Sequence, residues 1–191
     1  MGVFDLTLSF VAILFGIGYS KLLNIVPSVF SKNEKSSLTF QLFYIYIFFA
    51  GILHFWGFTS NLGIENYDFS LFFLDVIFSC AFYALCTLTC PNNEDKINSW
   101  RDHYINVRSK VWICQFLLIA NKTILGIIIP QNEEQQFVGY VVVILPWFVF
   151  SCLGYFFKNM KIQFITILLS LAHTAMAAFA TLLSDVSGLT K

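Results

Sequence analysis

The sequence predicts an all-α membrane protein built as a six-transmembrane-helix bundle. Of its 191 residues, 58% are hydrophobic and 12% are charged, whereas a soluble domain averages about 45–50% apolar and about 25% charged residues. Six segments also have the ~20 residues that cross a ~30 Å hydrocarbon core. They are residues 6–27, 38–58, 69–89, 111–129, 137–157 and 162–183. Because lipid offers the backbone no hydrogen-bond partner, each segment is expected to be helical.

The chain is expected to form a single integral membrane domain over residues 1–191, because only the connection 90–110 is longer than a short loop. The segment 6–27 is expected to be a mature span, since a signal peptide starts with positive charge and Asp5 is the only charged residue ahead of it. The net charge is zero, and there is no basic block or glycine-rich phosphate loop. Nucleic-acid and nucleotide binding are therefore not expected.

The distribution of basic residues is the third observation, and it predicts the orientation. Loops one, three and five carry eight of them: Lys32, Lys35, Lys96, Arg101, Arg108, Lys110, Lys158 and Lys161. Outside the spans, only Lys191 lies on the opposite side. Lysine and arginine are retained in cytoplasmic loops, so both termini are expected to lie outside the cytoplasm.

Two features of the sequence predict the shape and the packing of the spans. Pro146 lies in the middle of the fifth span, where a kink is expected, either as a hinge or as a tolerated membrane proline. Small residues recur every four positions in the first and sixth spans and predict close helix packing. These residues are Ala12, Gly16, Ser20, Ser170, Thr174 and Ala178.

Five polar residues inside the predicted spans form the candidate site. From the rise of an α-helix, Asp75 and Lys122 lie about 9 and 10 Å below the outer boundary, and His54 and His173 about 6 and 15 Å. Asn121 adjoins Lys122. The matching depths predict that Asp75 and Lys122 pair or face a shared polar cavity. A snorkelling lysine, a structural ion pair and a functional pathway are all compatible with this pattern.

The third loop predicts a short amphipathic helix at the inner membrane surface, leading into the fourth span. Apolar and aromatic residues recur there at three- and four-residue spacing. We expect Trp100, Tyr104, Arg101, Arg108 and Lys110 to face the lipid, with the rings among the headgroups and the cations near anionic lipid. A catalytic or phosphate site in this loop would need a second acidic or nucleophilic motif, and none is present.

The five cysteines form no evident disulfide framework. Cys86 and Cys90 share a helix face, but no histidine or acidic residue accompanies them as a metal ligand. Neither a metal nor a cofactor is expected.

Three stretches carry a family resemblance: "GIGYSKLL" in the first span, "HFWGF" in the second and "DHYINVRSKVW" before the fourth. They resemble a family of small, uncharacterised bacterial six-helix membrane proteins. The resemblance covers the first two-thirds of the chain and implies the six-helix architecture, without implying an activity. Together with the many Phe, Ile, Asn and Lys residues, it favours a bacterial inner membrane as the location.

Two functions remain open at this point. In the first, the protein binds or passes a small solute or ion through the site in the outer half of the bilayer, and a homo-oligomer is plausible if it forms a pore. In the second, it is a non-transporting partner subunit or oligomeric membrane effector, and the Asp75–Lys122 pair is structural. An enzyme is not expected, because no Ser/His, Asp/Asp or zinc signature appears.

Overall fold

The computed structural model describes residues 3–31, 37–59, 69–91, 97–128 and 139–189. These residues form six α-helices, and none of them lies in a β-strand. The helices are α1 (Val3–Phe30), α2 (Leu38–Thr59), α3 (Phe69–Thr89), α4 (Trp100–Ile128), α5 (Leu145–Phe156) and α6 (Met160–Leu189). A π-helical segment, Gly139–Ile144, leads into α5. The predicted all-helical bundle is therefore confirmed.

Four of the helices are long and apolar enough to cross a membrane. Their apolar stretches are Thr7–Phe30, Leu38–Trp56, Phe69–Thr89 and Met160–Phe179, in α1, α2, α3 and α6. The stretch Val142–Phe156, which contains α5, is apolar but shorter. The fold is thus compatible with a multi-pass membrane protein. That all six predicted segments cross the membrane, and that both termini lie outside, remain predictions.

The outer surface of the bundle is strongly apolar. Phe69, Phe156 and Ile127 are 74%, 72% and 66% exposed, and many other large apolar side chains are exposed as well. Soluble monomers rarely expose apolar patches of more than a few hundred Å². Lipid is the solvent in which such a surface is stable.

Helix α4 joins two predicted elements. The amphipathic segment and the fourth span, predicted separately, form one helix of 29 residues, about 43 Å long at 1.5 Å per residue. This length exceeds the ~30 Å hydrocarbon core. The first part of α4 therefore extends the helix beyond the predicted span 111–129.

Pro146 marks a change of helix type. It occupies the first turn of α5, directly after the π-helical segment. A proline has no backbone N–H to donate within a helix, and π-helical turns interrupt α-helices where hydrogen bonding is rearranged. The chain from Gly139 to Phe156 is therefore an interrupted helix.

Helix packing arranges the elements around an aromatic core. Helix α1 packs on α3, α3 on α4, α2 on α6, and α5 on both α4 and α6. Phe15 of α1 stacks on Phe82 of α3 with ring centroids 4.3 Å apart. The Tyr44 hydroxyl of α2 donates to the carbonyl of Leu22 in α1 (2.7 Å). Helix α4 thus contacts both α3 and α5, which places its inward face at the centre of the bundle.

Candidate functional site

One face of the first half of α4 is buried in the protein, which corrects the prediction that Trp100, Tyr104 and Arg108 face lipid. Trp100, Tyr104 and Arg108 are only 2%, 0% and 6% exposed. Arg101 and Lys110 are exposed. The periodicity correctly indicated a helix with one distinct face. The three buried residues lie on that face, which the ends of other helices cover.

Trp100, His103 and Arg108 bind the carbonyl ends of three helices, and we name these three residues the carbonyl hub. The indole N–H of Trp100 donates to the carbonyl of Ser28 in the last turn of α1 (3.1 Å). His103 Nε2 donates to the carbonyl of Thr89, the last residue of α3 (3.1 Å), which requires the Nε2–H tautomer. Carbonyls in the last turn of a helix lack intrahelical partners. The hub supplies those partners.

Arg108 makes the corresponding contacts at the end of α5. Its Nη1 donates to the carbonyls of Gly154 (2.9 Å), Tyr155 (2.8 Å) and Phe157 (2.8 Å). The Nε2 of Gln163 in α6 also donates to the Gly154 carbonyl (2.8 Å). A cation at a helix C-terminus is stabilised by the partial negative charge there. Arg108 therefore fixes the turn between α5 and α6 to α4.

Tyr104 and Trp112 complete this network on the same face of α4, one turn on either side of Arg108. The Tyr104 hydroxyl donates to Gln163 Oε1 (2.5 Å), and the Trp112 indole N–H lies 3.3 Å from the Tyr104 and Gln163 oxygens. Burial raises the pKa of Tyr104, so its hydroxyl keeps the proton that it donates. The hydrogen bonds of the "DHYINVRSKVW" stretch are thus intramolecular and structural.

The predicted polar site is brought together in part. Asp75, His54 and Asn121 are 2%, 2% and 3% exposed, and Lys122 is half-buried. The Asp75 carboxylate and the Lys122 ammonium attract each other, and Lys122 also acts electrostatically on His54. The Lys122 Nζ lies 5.7 Å from the ring centroid of Phe78. Three helices thus contribute to one group of residues, which we name the polar cluster: His54 of α2, Asp75 of α3 and Lys122 of α4.

His173 joins this cluster through Trp147, a residue that the sequence analysis missed. The Trp147 ring lies 5.7 Å from the His54 ring and 5.5 Å from the His173 ring. His173 is 8% exposed, and its Nε2 donates to the carbonyl of Val143 in the π-helical segment (3.0 Å). An aromatic residue directly after the mid-span proline was the available signal for Trp147.

Asn121 links α4 to α3 beside the cluster. Its Nδ2 donates to the carbonyl of Leu74, the residue before Asp75 (2.8 Å). Its Oδ1 is buried and has no hydrogen-bond partner among the described residues. One half of the amide therefore fastens two helices, and the other half is left unsatisfied.

Buried polar residues continue from the cluster toward the carbonyl hub, and the sequence analysis did not name four of them: Gln115, Ser151, Gln163 and Thr166. On α4, Arg108, Gln115 and Lys122 recur every seven residues and share a face. On α5 and the part of α6 up to residue 179, the buried polar residues are Ser151, Gln163, Thr166, Ser170, His173 and Thr174, each at most 8% exposed. Ser170 and Thr174 were expected to be small packing residues, but their hydroxyls also contribute polarity. We name Gln115, Ser151, Thr166, Ser170 and Thr174 the polar interior.

Several polar atoms in this region are unsatisfied. Within the described part of the chain, both amide atoms of Gln115 and the hydroxyls of Ser151 and Thr174 are buried without a hydrogen-bond partner, as are His54 Nε2 and Trp147 Nε1. Buried polar atoms in proteins almost always have a partner, which can be ordered water. The arrangement is therefore suited to holding water or a small polar molecule.

No metal-binding group is evident in this region. In the ranges that the structure describes, no three histidine, cysteine, aspartate or glutamate residues are grouped so that they could hold a metal ion. The chemistry that the site offers is hydrogen bonding and charge.

Comparison with protein-family models, curated proteins and solved structures finds no match for the chain. The resemblance to small bacterial membrane proteins therefore stays a prediction. A functional assignment depends on the geometry of the polar cluster and the polar interior.

Proposed function

We propose that the protein is a multi-pass bacterial inner-membrane protein with six spans and both termini outside, whose polar interior passes a small solute or ion. The observation that carries the proposal is the set of buried polar atoms without partners on α4, α5 and α6. In a bilayer, polar groups are costly and tend to face the bundle interior or a water-filled cavity. Buried polar atoms without partners on three packed helices favour a pathway.

The distances over which polar residues extend along α4 and α6 support the proposal. On α4, Arg108 and Lys122 are fourteen residues apart, which corresponds to about 21 Å along the helix. On α6, Gln163 and Thr174 are eleven residues apart, or about 17 Å. The distance on α6 covers more than half of a ~30 Å hydrocarbon core, and the distance on α4 starts at the carbonyl hub, just before the predicted span 111–129. Isolated packing residues would not be expected to extend over such a length.

The residues would have different roles in transport. The polar cluster would form the outer site, with Lys122 contacting the solute while Asp75 compensates its charge. As it moves inward, the solute would exchange its hydration water for hydrogen bonds to Gln115, Ser151 and Thr174. The carbonyl hub would keep the helix ends fixed, and no enzymatic step is proposed. A homo-oligomer would supply a wider pore if one chain proves too narrow.

The alternative is a non-transporting partner subunit or membrane effector. The hydrogen-bonded network around Arg108 and Gln163 favours it, because that network acts only as a fastener between helices. In this case the attraction between Asp75 and Lys122 also serves only to hold α3 against α4. The two functions differ in whether solute crosses a membrane.

Solute flux into proteoliposomes distinguishes them. Native protein is reconstituted, and ion and proton flux are measured from pH 5 to 8 together with the uptake of small neutral solutes. Lys122→Gln and Gln115→Leu are expected to lower the flux at least tenfold. Lys110→Gln, an exposed lysine on the same helix, is the matched control and should leave it unchanged.

Two results would contradict the pathway. Folded native protein without flux of any tested solute would favour the partner-subunit function. Flux that survives Lys122→Gln and Gln115→Leu together would show that solute takes another route.

A further inference from the structure

Two neighbouring rings in the polar cluster carry unsatisfied polar atoms. His54 is 2% exposed and Trp147 is 8% exposed, and their ring centroids lie 5.7 Å apart. Neither His54 Nε2 nor Trp147 Nε1 has a hydrogen-bond partner within the described ranges. Burying such a group without a partner costs free energy, and two of them on touching rings from different helices indicate a place for a bound molecule.

The chemistry of the surrounding groups selects an acceptor. An indole N–H and an ammonium can only donate hydrogen bonds, and a histidine donates through Nε2 in one of its tautomers. Lys122 acts electrostatically on His54, and its Nζ lies 5.7 Å from the ring centroid of Phe78, which itself packs 5.3 Å from the His54 ring. The site therefore offers donors and the positive charge of Lys122, with the Asp75 carboxylate acting on that lysine.

We propose that Trp147, His54 and Lys122 bind a small inorganic anion such as chloride. Hydrogen bonds to an ionised acceptor are stronger than neutral ones, so an anion satisfies the indole and the imidazole better than a neutral molecule does. A cation would be repelled by the Lys122 ammonium, and the Trp147 indole has no acceptor atom to offer it. Asp75, on the α3 side of Lys122, balances the lysine charge when the anion is absent.

This inference deepens the proposed function, and its role in transport rests on that function. It assigns anions as the solute class of the outer site. Binding at equilibrium needs no flux, so the site can be tested independently of the pathway.

The indole N–H signals of the tryptophans provide the test. Protein labelled with ¹⁵N at its four tryptophans is placed in detergent or nanodiscs and titrated with sodium chloride, with sodium gluconate or urea in parallel. The Trp147 signal, assigned from Trp147→Phe, is expected to shift saturably with chloride alone. His54→Phe should raise the apparent Kd at least tenfold, as expected for a lost charge-assisted hydrogen bond.

Trp56→Phe is the matched control, since Trp56 is 53% exposed, and it should leave the Kd unchanged. The absence of a saturable shift would overturn the proposal, as would an equal response to urea or an unchanged Kd in His54→Phe. If His54→Phe alters all the indole signals, Lys122→Gln is measured instead. An unchanged Kd in Lys122→Gln would also overturn the proposal.

The binding and flux measurements fail separately. Chloride binding without flux would keep this site and remove the pathway. If the protein binds no chloride but passes a neutral solute, the pathway is supported and the anion site is excluded.

Discussion

Replacing Gly154 by alanine tests whether the network around Trp112 holds α4, α5 and α6 together. A Cβ at Gly154 would lie 2.1 Å from Trp112 Cε2 and 2.4 Å from its Nε1, against 3.4–4 Å in ordinary contacts. Trp112 is 1% exposed, so its ring is held by neighbouring side chains. Either α5 or the indole must therefore move by more than 1 Å.

The expected loss of stability follows from these contacts. Overpacking a well-filled core costs about 1–3 kcal/mol. Displacement of Trp112 would also weaken its contacts with Tyr104 and Gln163, at about 0.5–1.5 kcal/mol for a typical hydrogen bond. Gly154→Ala should thus lower the free energy of unfolding by about 2–4 kcal/mol.

Equilibrium unfolding by denaturing detergent in mixed micelles measures this difference. Gly16→Ala is the matched control, because a Cβ there would meet nothing within 4 Å, and alanine forms helices better than glycine. The double variant Gly154→Ala/Trp112→Leu removes the clash. Its loss in free energy of unfolding should be smaller than the sum of the losses in the two single variants by at least about 1 kcal/mol. Equal stabilities of Gly154→Ala and Gly16→Ala would refute the packing argument.

The remaining predictions concern charged and titratable groups. Arg108→Met should lower the free energy of unfolding by about 3 kcal/mol, because buried carbonyls lose a charged donor, while exposed Arg101→Met should change it by less than about 0.5 kcal/mol. A double-mutant cycle of Asp75→Asn and Lys122→Gln, read by the same unfolding assay, should give a coupling of at least about 1 kcal/mol; strict additivity would exclude the pair. Burial lowers the pKa of His103 despite its carbonyl contacts, so its contribution to stability is complete above the unfolded pKa of about 6.5 and is lost as pH falls below that value. Unfolding at pH 5–8 should show this loss in the native protein and not in His103→Gln.

The first part of α4 shows where sequence reasoning succeeds and where it stops. The spacing of Trp100, Tyr104 and Val111 correctly predicts a helix with one distinct face, because 3.6 residues per turn is a local property. What covers that face is not local. Arg108 meets carbonyls 46 to 49 residues further along the chain, and no periodicity encodes that contact.

The polar cluster shows the same division. The depths of Asp75 and Lys122 follow from counting residues along helices, and the structure places the two within electrostatic reach. Trp147 looks like an ordinary apolar residue in the sequence. It becomes part of the cluster only because the fold places its ring against those of both His54 and His173.

The sequence by itself determined the helical class and the apolar surface. Those properties follow from composition and from the need of each backbone to satisfy its own hydrogen bonds in an apolar solvent. Only the tertiary structure decided which helix ends the carbonyl hub binds and which polar atoms of the interior remain without partners. Both depend on the register and rotation of one helix against another, which are fixed by side-chain packing between segments far apart in the chain.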